Sequence, residues 1–362
     1  MKVIDADAHV EESPSIFSRL DAKYYGRRPL PVRLDSDTVY QGCNAVWLID
    51  GQTYPKPVGV GRAAIPFNTP ALSDNARQKP VSIPAQELTD VRARLADMDK
   101  VGIGVQVVYP TLFLATTTLD VQFEAALCRS YNNFMADACG KSGNRIKFSA
   151  IVPIRDIEES IREMKRSKGL GAVGVVLYGV AWDKSLGHKD LLPFYEEAAS
   201  LNIPLCIHHS WGSPAITEAF DFHPTSFTSG TIPVLIGVYC LLISGVLDAV
   251  PKLNIAVLEA GSMWVPYMIQ QLERTGVRVG GPKDIARYFK DGRIFVGCEA
   301  DEDINYLVQW MGEDSMVIGS DYPHIDVSFE SDMTEVLMRR EDVPLRIKEK
   351  ILSDNPSRLY AL

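Results

Sequence analysis

This 362-residue chain has six cysteines but no Cys-x-x-Cys pair, no Lys/Arg-rich block, and no apolar run near the ~20 residues a bilayer crossing needs. Each absence removes a class of function. Cys43, Cys128, Cys139, Cys206, Cys240 and Cys298 mostly sit inside apolar segments and read as reduced core residues of a cytoplasmic protein. A formal charge of -9 with no basic cluster opposes a broad nucleic-acid footprint, so the expected partner is a small molecule, with neither nucleic acid nor membrane. The Gly-rich phosphate fingerprint that would follow the first strand of a doubly wound sheet is also missing, which weakens nucleotide-dependent readings. Met1-Lys2 leads directly into a strand pattern, so no secretory signal is expected. No internal repeat or low-complexity tract is visible.

What is present is an ordinary globular composition, 46% hydrophobic and 23% charged, at a length that suits one large domain with an insertion. Eight short strand-like runs fall at residues 3–7, 105–109, 148–154, 173–177, 205–208, 255–259, 294–298 and 316–320. Amphipathic stretches lie between them, at 90–101, 121–138, 157–168, 191–201, 232–250, 264–274 and 304–311. Strands alternating with helices predict a parallel sheet with helical crossovers, and eight such units predict a closed (β/α)8 TIM barrel within a single domain, 1–362. A barrel of this kind takes ~250 residues, and most of the surplus falls between the first strand and the first helix. That insertion, residues 13–84, is rich in Pro, Gly and Asp yet carries Tyr24, Tyr25, Tyr40, Trp47, Tyr54 and Phe67, which argues against disorder. It reads as a lid over the barrel mouth, or alternatively as a packing subdomain away from it. A second irregular stretch, 211–231, would lie on the mouth side.

Histidine is scarce, with six in the chain, and its placement is informative. His9 ends the first strand, His208 the fifth, Glu259 the sixth and Asp321 the eighth, with His324 three residues on; Glu299 follows the seventh. In a barrel all these ends converge on one mouth. Asp5, Asp7 and His9 alternate along one strand face; Asp5, the deepest, reads as a structural carboxylate. Asp7, His9, His208 and Asp321 would supply mixed nitrogen and oxygen ligands to one divalent metal, Zn2+ first and Mn2+ as the alternative. A single histidine beside an apolar strand is ordinarily a hydrogen-bonded core residue, and a single Asp after a strand ordinarily a helix cap. The joint placement carries the metal reading.

Four segments, IDADAHVEE at 4–12, IPLCIH at 203–208, LEAGSMWVPY at 258–267 and IGSDYPH at 318–324, resemble the amidohydrolase superfamily. Within it they are similar to the branch of aminocarboxymuconate-semialdehyde decarboxylase and the resorcylate decarboxylases. The likeness runs to the closing NPSRLY at 355–360 and covers the barrel rather than the insertion. It implies a (β/α)8 barrel with a single divalent metal. The family's first-strand His-x-His pair falls on Asp7 and His9, its fifth-strand His on His208 and its eighth-strand Asp on Asp321. Its sixth-strand His, which in the decarboxylases helps activate water or substrate, is replaced here by Glu259.

Glu259 therefore reads as a general base, an additional ligand or a structural carboxylate, and His324 as the group that takes over proton transfer, with Asp321 the third catalytic candidate. His209 adjoins a ligand and is expected to point into packing. Glu12, Glu299 and Glu302 are candidates to support the ligands, with caps or solvated side chains as the alternative. Arg62 in the insertion and Arg92 and Arg94 on the first helix could pair with a substrate carboxylate. Trp211 and Trp264 could wall an apolar substrate, or pack their own loops. The reaction the resemblance implies is non-oxidative decarboxylation of an aromatic or unsaturated carboxylic acid. The Glu259 exchange keeps hydrolysis of an ester, lactone, amide or C–C bond, or hydration, in view. A non-catalytic binding module is the third reading. Association through the outer helices into a homo-oligomer is expected.

Overall fold

The computed structural model describes residues 1–33, 45–54, 81–181, 184–210, 227–279, 281–324, 330 and 332–362. Eight strands form one sheet in strict chain order: β1 (Ile4–Val10), β2 (Val105–Pro110), β3 (Ile146–Ala150), β4 (Gly174–Tyr178), β5 (Leu205–His208), β6 (Ile255–Leu258), β7 (Ile294–Gly297) and β8 (Met316–Val317). Every neighbouring pair is parallel. The ring is closed by main-chain bonds between β1 and the segment after β8: Ala6 N–H donates to Ile318 O at 3.0 Å, Asp321 N–H to Asp7 O at 3.0 Å, and His9 N–H to Tyr322 O at 2.6 Å. This is the (β/α)8 barrel. Gly319 makes the close approach possible, since a Cβ there would fall 2.4 Å from the Asp7 Cβ.

β1, β2, β5 and β6 are buried along their whole length, because barrel interior covers one face and helices the other. The crossover helices are α1 (Val91–Lys100), α2 (Val121–Gly140), α3 (Ile157–Gly169), α4 (Leu192–Ser200), α5 (Ile232–Ile243), α6 (Trp264–Val279) and α7 (Ile304–Met311), followed by α8 (Met333–Arg339) and α9 (Asn355–Tyr360). Four begin at an aspartate that accepts the otherwise unmade N–H bonds of the first turn: Asp90, Asp120, Asp156 and Asp303. Several expected boundaries shift, among them β1, which runs on to Val10, and β8, which ends at Val317. The stretch 232–250 is broken by Gly245, whose φ of 75° no helix interior accommodates, and β3 starts at Ile146 rather than 148.

α9 anchors the chain's end on the barrel. Asn355 Nδ2 donates to Met316 O at 2.8 Å, and the Tyr360 hydroxyl donates to Ala6 O at 2.8 Å beside the Tyr109 hydroxyl. Between β1 and α1 the chain forms a three-stranded antiparallel sheet from Leu30–Arg33, Ala45–Ile49 and Gln52–Tyr54. Its Trp47 is buried edge-on against Phe17. Asp50 accepts from Arg27 and from Thr118, and the Tyr54 hydroxyl donates to Thr116 O, so the sheet is tied to the loop leaving β2. Residues 34–44 and 55–80 of the insertion lie outside the described residues.

Candidate metal centre

β1 delivers its polar residues through an irregularity. Asp5 pairs with Gln106 but Ala8 with Val108, so the register slips by one residue between them, the kind of bulge that re-aims a side chain. Beyond β6 and β8 the backbone turns sharply. Glu259 (φ 51°) and Asp321 (φ 53°) both occupy the left-handed region that non-glycine residues rarely enter, at the two strand exits where acids face the centre.

The side chains meet at the mouth, all buried. His9 Nε2 lies 3.2 Å from Asp321 Oδ1, 3.6 Å from Asp7 Oδ1 and 3.8 Å from Glu259 Oε2. His208 Nε2 lies 3.1 Å from Asp7 Oδ1. One atom each from Asp7, His9, His208 and Glu259 falls within 4.8 Å of the others, and His9, Asp321 and His324 form an overlapping set. Two ligands of one ion, each ~2.1 Å from it, stand at most ~4.2 Å apart, so the four distances suit donors around a common centre.

Both imidazoles are oriented for that role. His9 Nδ1–H donates to Pro110 O at 2.8 Å and His208 Nδ1–H to His209 O at 2.7 Å, which turns the Nε2 atom of each ring inward toward the carboxylates. His9 Nε2 and Glu259 Oε2 have no hydrogen-bond partner among the described residues. Buried acceptors facing one another without a proton or cation between them are costly, and a divalent cation resolves the conflict. The residues therefore fit a metal.

Burial and charge act visibly on these groups. Burial, with Glu259 and Asp5 nearby, pushes Asp7 up to about 6 against the pull of His208. Burial lowers His208, but the Asp7 carboxylate and Glu259 outweigh it and carry the ring up to about 9. Burial, together with His324 and His208, holds His9 well below the usual imidazole range. Glu259 is buried, which raises it, yet His209, His208 and His9 bring it below the ordinary carboxylate value.

The remaining sequence-derived candidates divide. His324 is buried, stacked on the His9 ring at 4.1 Å, with Nδ1 2.8 Å from Asp321 Oδ1 and Nε2 3.0 Å from Thr111 Oγ1. Glu302 braces the loops after β6 and β7 by accepting from Ser262 N–H and Oγ–H, Met263 N–H and Glu299 N–H. Glu12 accepts from the N–H groups of Thr111 and Leu112 at the exit of β2. Glu299 lines the cleft with Asp7, Leu258, Glu259, Gly297, Cys298, Gly319 and Asp321, and burial raises it to about 8. Trp264 is not in that lining; its indole N–H donates to Gly261 O at 2.8 Å. Arg62, Trp211 and His223 lie outside the described residues.

Two expectations are corrected. Arg94 faces no substrate: it is wholly buried, donating to Gln106 Oε1 at 2.7 Å and His9 O at 2.9 Å with its guanidinium 3.9 Å over the Tyr322 ring. His209 does not point away from the site, because β5 ends at His208 and strand alternation ends with it; its Nδ1 meets Glu259 Oε1 at 2.9 Å. Thr111 and Tyr109, whose ring stands 5.0 Å from His208, are site neighbours that no pattern in the sequence marks.

The chain is a closed parallel barrel with imidazoles and carboxylates gathered at its C-terminal mouth in an arrangement that could hold a divalent cation. The amidohydrolase family profile matches residues 4–362, and the chain belongs to that family. Among curated relatives it is 28% identical over 182 residues to a decarboxylase from Emericella nidulans, a match spanning 44% of this chain and 52% of that protein. It is 23% identical over 282 residues to a gamma-resorcylate decarboxylase from a Polaromonas species, covering 70% of this chain and 85% of the relative. Among solved structures, an amidohydrolase from Mycobacterium avium subsp. paratuberculosis superposes with a TM-score of 0.78 at 20% identity, over 100% of this chain and 98% of that one. A 5-carboxyvanillate decarboxylase from Novosphingobium aromaticivorans, solved with manganese and a nitrobenzoic acid, gives 0.68 at 23% identity over 80% and 85%.

Proposed function

We propose that the protein is a metal-dependent carboxy-lyase that removes CO2 without oxidation from an aromatic carboxylic acid. The observation that carries the metal reading is the inward-facing His9 Nε2, buried and without a hydrogen-bond partner among the described residues, with the carboxylates of Asp321, Asp7 and Glu259 around it. The relatives named as decarboxylases support the reaction. Asp7, His9, His208 and Asp321 are the proposed holders of the cation. We place Mn2+ ahead of Zn2+, because a carboxylate-rich donor set suits the harder ion and a structural relative carries manganese. Such an ion, when bound, supplies positive charge for the substrate carboxylate and a neighbouring oxygen.

The chain's own groups account for the proton. The carbon–carbon bond breaks, CO2 leaves, and the ring carbon takes up one proton in its place. Asp321 and His324, 2.8 Å apart, are the pair positioned to hold that proton, with Thr111 fixing the far nitrogen of the ring. We read the protein as cytoplasmic, in keeping with the free thiols of its described cysteines, and as a homo-oligomer. Exposed Met263, Tyr267, Val277 and Val279, along and beside α6, offer apolar surface for that association. The test is incubation of the Mn2+-loaded protein with a panel of ortho-hydroxy aromatic acids in D2O. CO2 release with deuterium on the ring carbon is the expected result. No CO2 from any acid, together with turnover of an ester or lactone, would replace the lyase by a hydrolase.

A further inference from the structure

We propose that Glu259 is itself a ligand of the cation, and that His209 is the positioning residue that turns the ligating oxygen inward. The inference rests on the metal reading above and assigns Glu259 to holding the ion rather than to base chemistry.

The two oxygens of Glu259 have different surroundings. Oε1 is engaged by His209 Nδ1 at 2.9 Å. Oε2 is buried, has no hydrogen-bond partner among the described residues, and stands 3.8 Å from His9 Nε2 and 3.5 Å from His208 Nδ1. Because His208 Nδ1–H is already given to His209 O, the neighbour left to Oε2 is the inward face of His9. A carboxylate oxygen directed at a lone pair in a closed space is costly, and with His9 held well below the usual imidazole range a cation between them is the resolution that the geometry favours. The backbone is committed to this direction, since the left-handed conformation of Glu259 immediately after β6 takes its side chain out of strand alternation.

His209 in turn has little room to move. A Cβ placed on Gly230 would fall 1.3 Å from His209 Nε2, so the ring edge lies against the main chain of the turn Phe227–Thr231. Gly230 thus holds His209, His209 holds Oε1, and Oε2 completes the donor set. Together with Asp7 and Asp321 this gives three carboxylates and two imidazoles, which raises the oxygen character of the site.

The experiment measures Mn2+ affinity of chelator-stripped, reloaded protein from the electron paramagnetic resonance signal of unbound Mn2+, and records the bound spectrum. Wild type is expected to bind one ion. Glu259→Gln is expected to lose more affinity than the ~10–100-fold typical of a change behind the ligands, with an altered bound spectrum. Should Glu259→Gln fail to fold, Glu259→Asp keeps the charge and withdraws the oxygen by one methylene, and the same loss is expected. His209→Leu is expected to lose ~10–100-fold, while His209→Asn, whose amide N–H stands in for Nδ1–H, recovers most of it. Gly230→Ala, which removes no donor atom and acts only by displacing the His209 ring, is expected to resemble His209→Leu. A wild type that binds Mn2+ alongside Glu259→Gln and Glu259→Asp of equal affinity and unchanged spectrum overturns the inference and leaves the metal site standing. A wild type that binds no divalent ion removes the metal reading itself.

Discussion

Asp5 and Asp7 stand two residues apart on one strand, are both buried, and meet opposite environments. Asp5 accepts from Ser320 Oγ–H at 2.6 Å, Ser320 N–H at 2.9 Å, Gln106 Nε2–H at 2.7 Å and Asp7 N–H at 3.3 Å. Gln106 passes the bond on to buried Arg94, so β1, β2, α1 and the segment after β8 are stitched together one layer below the mouth. Asp7 faces imidazoles and other carboxylates instead. The lower layer is saturated with donors and therefore structural. The upper layer holds more acceptors than protons, and that deficit is what makes it a site.

The comparison predicts opposite phenotypes, and the largest effect belongs to the upper layer. Asp321→Ala should lower turnover by ~10^2–10^4-fold, the range for removing a group that moves a proton, while the circular dichroism spectrum and melting behaviour of the stripped protein stay close to wild type. Asp5→Ala should do the reverse in kind. It leaves the buried donors of Ser320 and Gln106 without their acceptor and loosens the Gln106 amide that Arg94 binds, so we expect a loss of ~3–5 kcal/mol in urea unfolding of the metal-free chain. If Asp5→Ala unfolded at the same urea concentration as wild type, the division into a structural and a functional layer would be wrong.

The same contrast explains what was legible beforehand. Eight apolar runs alternating with helical patterns determine a barrel, and a barrel brings His9, His208, Glu259 and Asp321 to one mouth whatever their separation in sequence. Side-chain direction was legible only where strand geometry persists. His209 follows the last residue of β5 and Glu259 follows β6 in a left-handed conformation, so the period-two rule that placed His9 had nothing to say about either. Arg94 was unreadable for another reason: a charged residue on a helix is ordinarily exposed, and only the depth of Gln106 and Asp5 makes it buried. The insertion has no period to read, and its small sheet is held by the Arg27–Asp50 ion pair, by Trp47 against Phe17, and by hydrogen bonds to Thr116 and Thr118 in the loop after β2.

Removing the ion should separate the layers more gently. Chelation takes away a partner of the folded state alone, so the melting temperature of wild type should fall by the equivalent of ~2.7 kcal/mol when the free ion had stood at a hundredfold its dissociation constant. Asp5→Ala should show the same decrement, since the two layers are distinct. Asp7→Ala should show almost none, because it has little ion to lose. A calorimetric scan of the three proteins with and without chelator reads all of this.

Glu12 is the intermediate case and gives the smallest effect. Like Asp5 it accepts backbone or side-chain protons, from Thr111 N–H at 3.1 Å and Leu112 N–H at 2.7 Å, but two donors do not offset its burial, which pushes it up to about 8. Its pKa in the folded chain is therefore above its unfolded value. Between those values the folded protein keeps a proton that the unfolded chain releases, so this group's contribution is fully present below the ordinary glutamate range and is lost as pH rises toward 8. One such proton limits the slope to ~1.4 kcal/mol per pH unit. Measured as urea midpoints of the metal-loaded protein from pH 6 to 8, wild type should lose stability more steeply than Glu12→Gln, whose amide has no proton to release. Equal slopes would mean that the two N–H donors hold Glu12 as a carboxylate throughout, which would move it into the saturated layer with Asp5.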